Sequence, residues 1–204
     1  MPPSGRERRA VRRRAFVDSL PVLMGYTAMG FVAGSLLAAK AGVSFAPLWA
    51  FLSGGLCVSG TLSFAIVQPV AERVGIWAIA LMLAGVNFRY VFYGWSMLGA
   101  WKDVRGWRKF LLVLMLTDEN YALETACKYR DPGRRTFYCL CLSAMNLSYW
   151  VAGLTSGAAF VSILRRALDP SVIAKYTSGL EFAMAALFIV IFTDQAKGFF
   201  AHGK

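Results

Sequence analysis

The sequence is poor in charge. Only 16% of its 204 residues are Asp, Glu, Lys or Arg, and acids number 11 against 22 bases. A water-soluble domain does not combine so little charge with 57% hydrophobic residues, so the composition points to an integral membrane protein. Histidine is represented only by His202, near the C-terminus, which removes a His-based metal centre. Cys57, Cys127, Cys139 and Cys141 lie in or beside apolar segments, which argues against a disulfide framework, and Cys139-x-Cys141 is not a zinc spacing. Strict apolar/polar alternation over strand-length stretches is missing, which argues against a barrel. No phosphate-cradling glycine loop and no nucleophile–base pair stands out, so an enzyme is not expected and no metal or cofactor is assigned. The route to one would be metal binding by adjacent Asp118 and Glu119 at a lipid–water surface.

What is present is a series of long apolar runs. A bilayer crossing takes roughly 20 such residues and, with its loop, roughly 30. The length therefore suits an all-α polytopic membrane bundle of about five or six segments. Residues 1–15 read as a basic cytoplasmic segment, 16–194 as one transmembrane domain and 195–204 as a short polar tail. The net charge of +11 would suggest nucleic acid in a soluble protein. Here the bases sit between apolar runs, where they read as topology signals and contacts to anionic lipid.

Arg6, Arg8, Arg9, Arg12, Arg13 and Arg14 stand against Glu7 alone in the basic head, which keeps the N-terminus cytoplasmic. The run that follows, about 16–39, is too long for a signal peptide and reads as a retained helix, capped by Asp18 or Ser19 with Pro21 in its first turn. Gly30-x-x-x-Gly34 and Gly153-x-x-x-Gly157 offer flat faces for close packing. The second run, about 43–67, contains Gly54-Gly55 and then Ser59-Gly60-Thr61-Leu62-Ser63-Phe64. Two readings stand for it: a broken helix whose freed backbone groups line a cavity, or a small-residue packing face.

The third run, about 75–98, carries Asn87 and Arg89 at membrane depth. An arginine there costs several kcal/mol on insertion scales and needs a polar partner. Residues two apart on a helix point about 200° apart, so either protein surrounds this helix or it is irregular near Gly85. Tyr93, one turn on, can stack on Arg89 or hydrogen-bond to it. Basic segments at 101–109 and 128–135 flank a short apolar run and Thr117-Asp118-Glu119-Asn120-Tyr121. Thr before two acids is a helix start; alternatively 110–127 dips into the bilayer and offers Asp118 or Glu119 to Arg89. Three full crossings would leave the basic 101–109 segment outside, against the positive-inside rule. The conflict disappears if the second run turns back. The longest run, about 136–164, ends at Arg165 and Arg166, and a last one, about 176–193, carries Glu181.

At these residues the sequence resembles the AzlC family of branched-chain amino acid exporters. The resemblance rests on Asn87-Phe88-Arg89-Tyr90-Val91-Phe92-Tyr93-Gly94, on Leu116-Thr117-Asp118-Glu119-Asn120-Tyr121-Ala122, and on the stretches around Val58–Phe64, Trp150–Gly157 and Gly179–Phe188. It implies a transporter in the bacterial inner membrane that exports branched-chain or similar small apolar amino acids, a small AzlD-type membrane subunit as partner, and coupling to protons. Carried over, with their neighbours, the substrate or translocation positions are Ser59, Gly60, Ser63, Asn87, Arg89, Tyr93, Asp118 and Glu119. Ser63 stands where the family has glutamine, Ala185 where it has proline, and the family pattern continues with two further hydrophobic segments. A non-transporting scaffold or accessory subunit is the alternative.

Overall fold

The computed structural model describes residues 4–40, 45–57, 60–67, 69, 72–167 and 169, with isolated positions between 171 and 193. The last expected run, with Glu181 and Ala185, lies largely outside them, as does Ser59. Among the described residues the chain is helical, without strands. The helices are α1 (Gly5–Lys40), α2 (Ala46–Cys57), α3 (Gly60–Ala65), α4 (Ile76–Asn87), α5 (Arg89–Met97), α6 (Trp107–Leu114), α7 (Asp118–Thr125) and α8 (Pro132–Ala167).

α1 begins earlier than its apolar run predicts. The Ser4 backbone N–H donates to Glu7 Oε2 at 2.8 Å, the reciprocal half of a capping box. That bond, with the Arg134 guanidinium, holds the Glu7 carboxyl below its ordinary pKa. Arginines are good helix formers, so the head and the apolar run form one 36-residue helix. Asp18, Ser19 and Pro21 therefore lie inside the helix, not at its start. Asp18 pairs with Arg14 at 2.9 Å and accepts from the Tyr138 hydroxyl at 2.9 Å. Ser19 donates back to the Phe16 carbonyl and meets the Tyr149 hydroxyl at 3.2 Å.

α1 and α8 are the frame. Each has 36 residues, about 54 Å at 1.5 Å per residue, and each is apolar enough to cross a membrane. They run parallel: Arg134 pairs with Glu7 at one end, and Arg165 donates to the Ala39 carbonyl at the other. The two glycine motifs meet. A Cβ on Gly34 would fall inside contact distance of the Leu154 carbonyl oxygen, and one on Gly157 would do the same to Phe31. Only hydrogen atoms fit between these backbones, the small-residue packing that lipid-embedded helices use.

Two apolar clusters fill the bundle. One gathers Val11, Ala15, Met97, Trp101, Val104, Leu112, Leu116, Tyr138 and Leu142 at the end where the arginine head lies. The other gathers Ala33, Leu36, Ala46, Ala50, Phe64, Val67, Leu154, Ala158 and Val161 toward the opposite end. α2 and α3 belong to the second. Gly54-Gly55 lies within α2, and Gly54 packs on Leu154 and Val151 of α8. The packing-face reading holds at Gly54, whereas Gly55 has open space around it, and residues 58 and 59, between α2 and α3, lie outside those described.

The chain path follows. α4 and α5 form one span bent by 41° that arrives at the basic end, where Trp101 and Val104 join Val11. α6 and α7 leave that end and return to it: beyond α7, Cys127, Lys128 and Tyr129 share a cleft with Arg14 and Tyr138. Between two parallel spans the chain must cross an odd number of times, and α4–α5 is that crossing. The second run turns back, and the basic segments 101–109 and 128–135 sit at the same end as the basic head. This removes the positive-inside conflict.

The helix contact is directly testable. Gly157→Val is expected to lower stability by about 1–3 kcal/mol through overpacking, read as a lower unfolding temperature in detergent. Gly25→Ala, in open space on α1, should leave the midpoint unchanged or raise it slightly.

Candidate functional site

The break between α4 and α5 makes the site. α4 stops at Asn87, the Phe88 N–H bonds back to Gly85 at 3.3 Å, and α5 starts at Arg89. Of the two readings for Asn87 and Arg89, two residues apart, this is the irregular helix near Gly85. Arg89 Nη1 lies 2.8 Å from Asp118 Oδ2. Its guanidinium sits 5.1 Å from the Tyr90 ring centroid, and Nη2 donates to the Tyr90 hydroxyl at 3.4 Å. Both partners of the ion pair are part-exposed, Arg89 at 36% and Asp118 at 39%. In water such a pair contributes about 0–1 kcal/mol; at membrane depth its main effect is to leave neither charge alone.

Asp118 is placed by its own helix start. Thr117 is extended (φ −107°, ψ 174°), and its hydroxyl accepts from the Asn120 N–H at 3.4 Å. Two acids in the first turn favour the positive end of α7. The cap and the dip into the bundle thus both occur. Neighbours on a helix point about 100° apart, so the two acids face different helices. Asp118 meets Arg89 of α5, and Glu119 accepts from the Tyr26 hydroxyl of α1 at 2.5 Å. The Tyr26 hydroxyl also lies 3.1 Å from Thr117 Oγ1.

Behind these charges runs a buried polar seam. Thr117, Asn120 and Glu124 line one face of α7; Ser143, Asn146 and Trp150 line the facing side of α8. Asn146 Nδ2 donates to Asn120 Oδ1 at 2.6 Å, Asn120 Nδ2 to the Met115 carbonyl, and Ser143 to Glu124 at 2.9 Å. Tyr26, Gly60, Thr117, Asn120, Asn146 and Trp150 enclose a cavity of about 10 Å³, about the space of one water. Asn146 Oδ1 and Trp150 Nε1 make no hydrogen bond to another protein group among the described residues. Gly60 closes one wall, and a Cβ there would lie 3.4 Å from the indole.

The structure therefore joins Arg89 to Asp118 and ties Glu119 to Tyr26, with Gly60 at the adjoining cavity. Tyr93 lies nearby but stacks on Tyr121 (4.7 Å, 15°), whose hydroxyl accepts from Ser96. The ring beside the guanidinium is that of Tyr90, not the expected Tyr93. Asn87 ends α4 with its buried Oδ1 unpaired among the described residues, and Ser63 is buried on α3 away from the cavity wall. Phe64, next to Ser63, sits in the cluster at the far end.

Sequence reasoning missed Tyr26, Asn120, Glu124 and Asn146 as a connected set. The available signal was polar spacing of three and four residues, 117/120/124 and 143/146/150, on two membrane helices. Nothing local marks Tyr26. Among the described residues no three His, Cys, Asp or Glu side chains converge on a metal position. The chemistry on offer is recognition of opposite charges and holding of a proton.

Comparison with known proteins places this architecture. A membrane protein of Helicobacter pylori strain J99 is 29% identical over 90% of this chain and 77% of its own length. The branched-chain amino acid transport protein AzlC of Bacillus subtilis strain 168 is 25% identical over 91% of this chain and 68% of its own. The inner membrane protein YgaZ of Escherichia coli K12 is 29% identical over 69% and 57%. No solved structure matches. The AzlC protein family model matches residues 21–164, and the chain belongs to the AzlC family, a transport-associated membrane family.

Proposed function

We propose that this chain is a secondary transporter that exports branched-chain, or similar small apolar, amino acids across the bacterial inner membrane. Its basic end faces the cytoplasm, and a small AzlD-type membrane subunit acts with it. The observation that carries the reading is the Arg89–Asp118 pair at the tips of two broken helices, with Glu119 beside it. A zwitterion needs one cation and one anion. Its carboxylate takes the place of Asp118 on Arg89, and its ammonium takes the place of Arg89 on Asp118 or Glu119. Each protein charge is then the other's stand-in when no substrate is bound, so neither is left bare at membrane depth, which would cost several kcal/mol. Tyr90, Tyr93 and Phe92 supply apolar surface for a branched side chain. Asp118 or Glu119 carries the coupling proton. The name of the Bacillus relative agrees with this substrate class.

The first test is efflux of labelled leucine from cells expressing the chain, with and without an adjacent small membrane protein. Asp118→Asn removes a charge-assisted bond and should slow efflux at least about tenfold. The swap of Arg89→Asp with Asp118→Arg should recover part of the loss from either single change. Normal leucine export by Arg89→Ala would remove the assignment. Absence of export under every pairing would leave a membrane scaffold as the reading.

The Asn120–Asn146 rung has a separate, structural prediction, because it sets how deep Asp118 sits. Asn146→Ala strips the donor from a buried carbonyl and should cost about 1–3 kcal/mol. Replacing both asparagines by leucine should cost less than the single change. Thermal unfolding of the three variants in one detergent decides this.

A further inference from the structure

A second charged feature lies at the basic end, apart from Arg89 and Asp118. Arg8 of α1, Arg105 and Arg108 around the start of α6, and the first turns of α8 line a groove of about 960 Å³. Asp103 is the acid on its wall. The Arg8 guanidinium lies 5.8 Å from the Phe137 ring centroid, so a cation and an aromatic face meet inside the groove. These charges come from segments nearly 100 residues apart in the chain, and only the fold assembles them. Leading away from the groove, α6 exposes an apolar face. Trp107 is 69% exposed and stacks on Phe110 at 5.5 Å, with Val113 and Leu114 exposed beyond.

We propose that this groove is a binding site for an anionic phospholipid. The phosphate sits among Arg8, Arg105 and Arg108, and an acyl chain runs along Trp107 and Phe110. Three arginines against Asp103 select a negative headgroup. The position fits, since the groove lies at the rim where the apolar spans of α1 and α8 begin. The apolar face decides between the two sources of a phosphate. A free phosphate would use the arginines and leave Trp107 and Phe110 idle, whereas a lipid uses both. Aromatic rings beside basic residues are the usual anchors at that depth. The proposal does not rest on the transport reading and stands if the substrate is something else.

The test is retention of phosphatidylglycerol against phosphatidylcholine by the purified full chain, read by native mass spectrometry. The wild type should prefer phosphatidylglycerol. Arg105→Gln with Arg108→Gln should weaken that preference by about fivefold per arginine, the equivalent of ~1 kcal/mol for each charge. Arg9→Gln with Arg13→Gln removes the same charge outside the groove and should leave the preference unchanged. An equal loss in both double variants would reduce the effect to general surface charge and overturn the site. Trp107→Ala should lower lipid retention. Lipid retention untouched by Trp107→Ala and abolished by millimolar inorganic phosphate would reassign the groove to free phosphate and overturn the lipid assignment.

Discussion

The close approach of α1 and α8 is the constraint on which the rest depends. Lipid tails are as apolar as leucine, so helices in a bilayer gain little from burying oily side chains against each other. They gain from backbone-to-backbone contact, which glycine permits. Here Gly30 and Gly34 face Gly153 and Gly157, and a Cβ on Gly153 would lie 2.8 Å from the Thr27 carbonyl oxygen. With the two long helices locked in parallel, the chain between them must cross once and only once in net terms. The bent α4–α5 span makes that crossing, α6 and α7 leave the basic end and return to it, and α2 and α3 both pack in the cluster toward the opposite end.

That topology creates the site. Broken helices carry unpaired backbone groups and charged tips that cannot face lipid, so they turn inward on one another. The α5 tip brings Arg89 and the α7 start brings Asp118 and Glu119. Each charge finds its partner on a different element, and α7 is fixed at depth by the Asn120–Asn146 bond and by Ser143 on Glu124. Half-exposed charges at the tips and buried, hydrogen-bonded side chains behind them form a graded arrangement. The inner ladder is rigid because breaking any rung strands a buried polar group, while the outer pair is open enough to exchange partners.

The same topology sorts charge along the molecule. Basic residues from the head, from 101–109 and from 128–135 collect at one end. Their gathering concentrates positive charge on one rim, the kind of asymmetry that biases how membrane bundles insert and that attracts anionic headgroups. The ion pair of Glu7 with Arg134 also ties the first turn of α1 to the first turn of α8, so orientation and helix register are set by overlapping residues.

Much of this was legible in the sequence. Apolar runs announce a membrane protein, and glycines at intervals of four announce faces for close packing. An arginine at membrane depth announces a polar partner, and Asn87 with Arg89 two residues on announces a helix either surrounded by protein or irregular near Gly85. Each is a local property, governed by hydropathy, by the 3.6-residue turn or by the cost of a bare charge. Other features arose only when distant segments met. Whether Asp118 or Glu119 takes Arg89 depends on the angle at which α7 approaches α5. That Tyr26 holds Glu119 depends on α1 lying beside α7. The start of α1 at Gly5 depends on a cap by Ser4 and Glu7 and on Arg134, far along the chain, and the helical course of α2 through Gly54-Gly55 on Gly54 packing against Leu154. Helix propensity and hydropathy act over a few residues, whereas hydrogen bonds and ion pairs act over a few ångströms, and the fold decides which residues come within that reach.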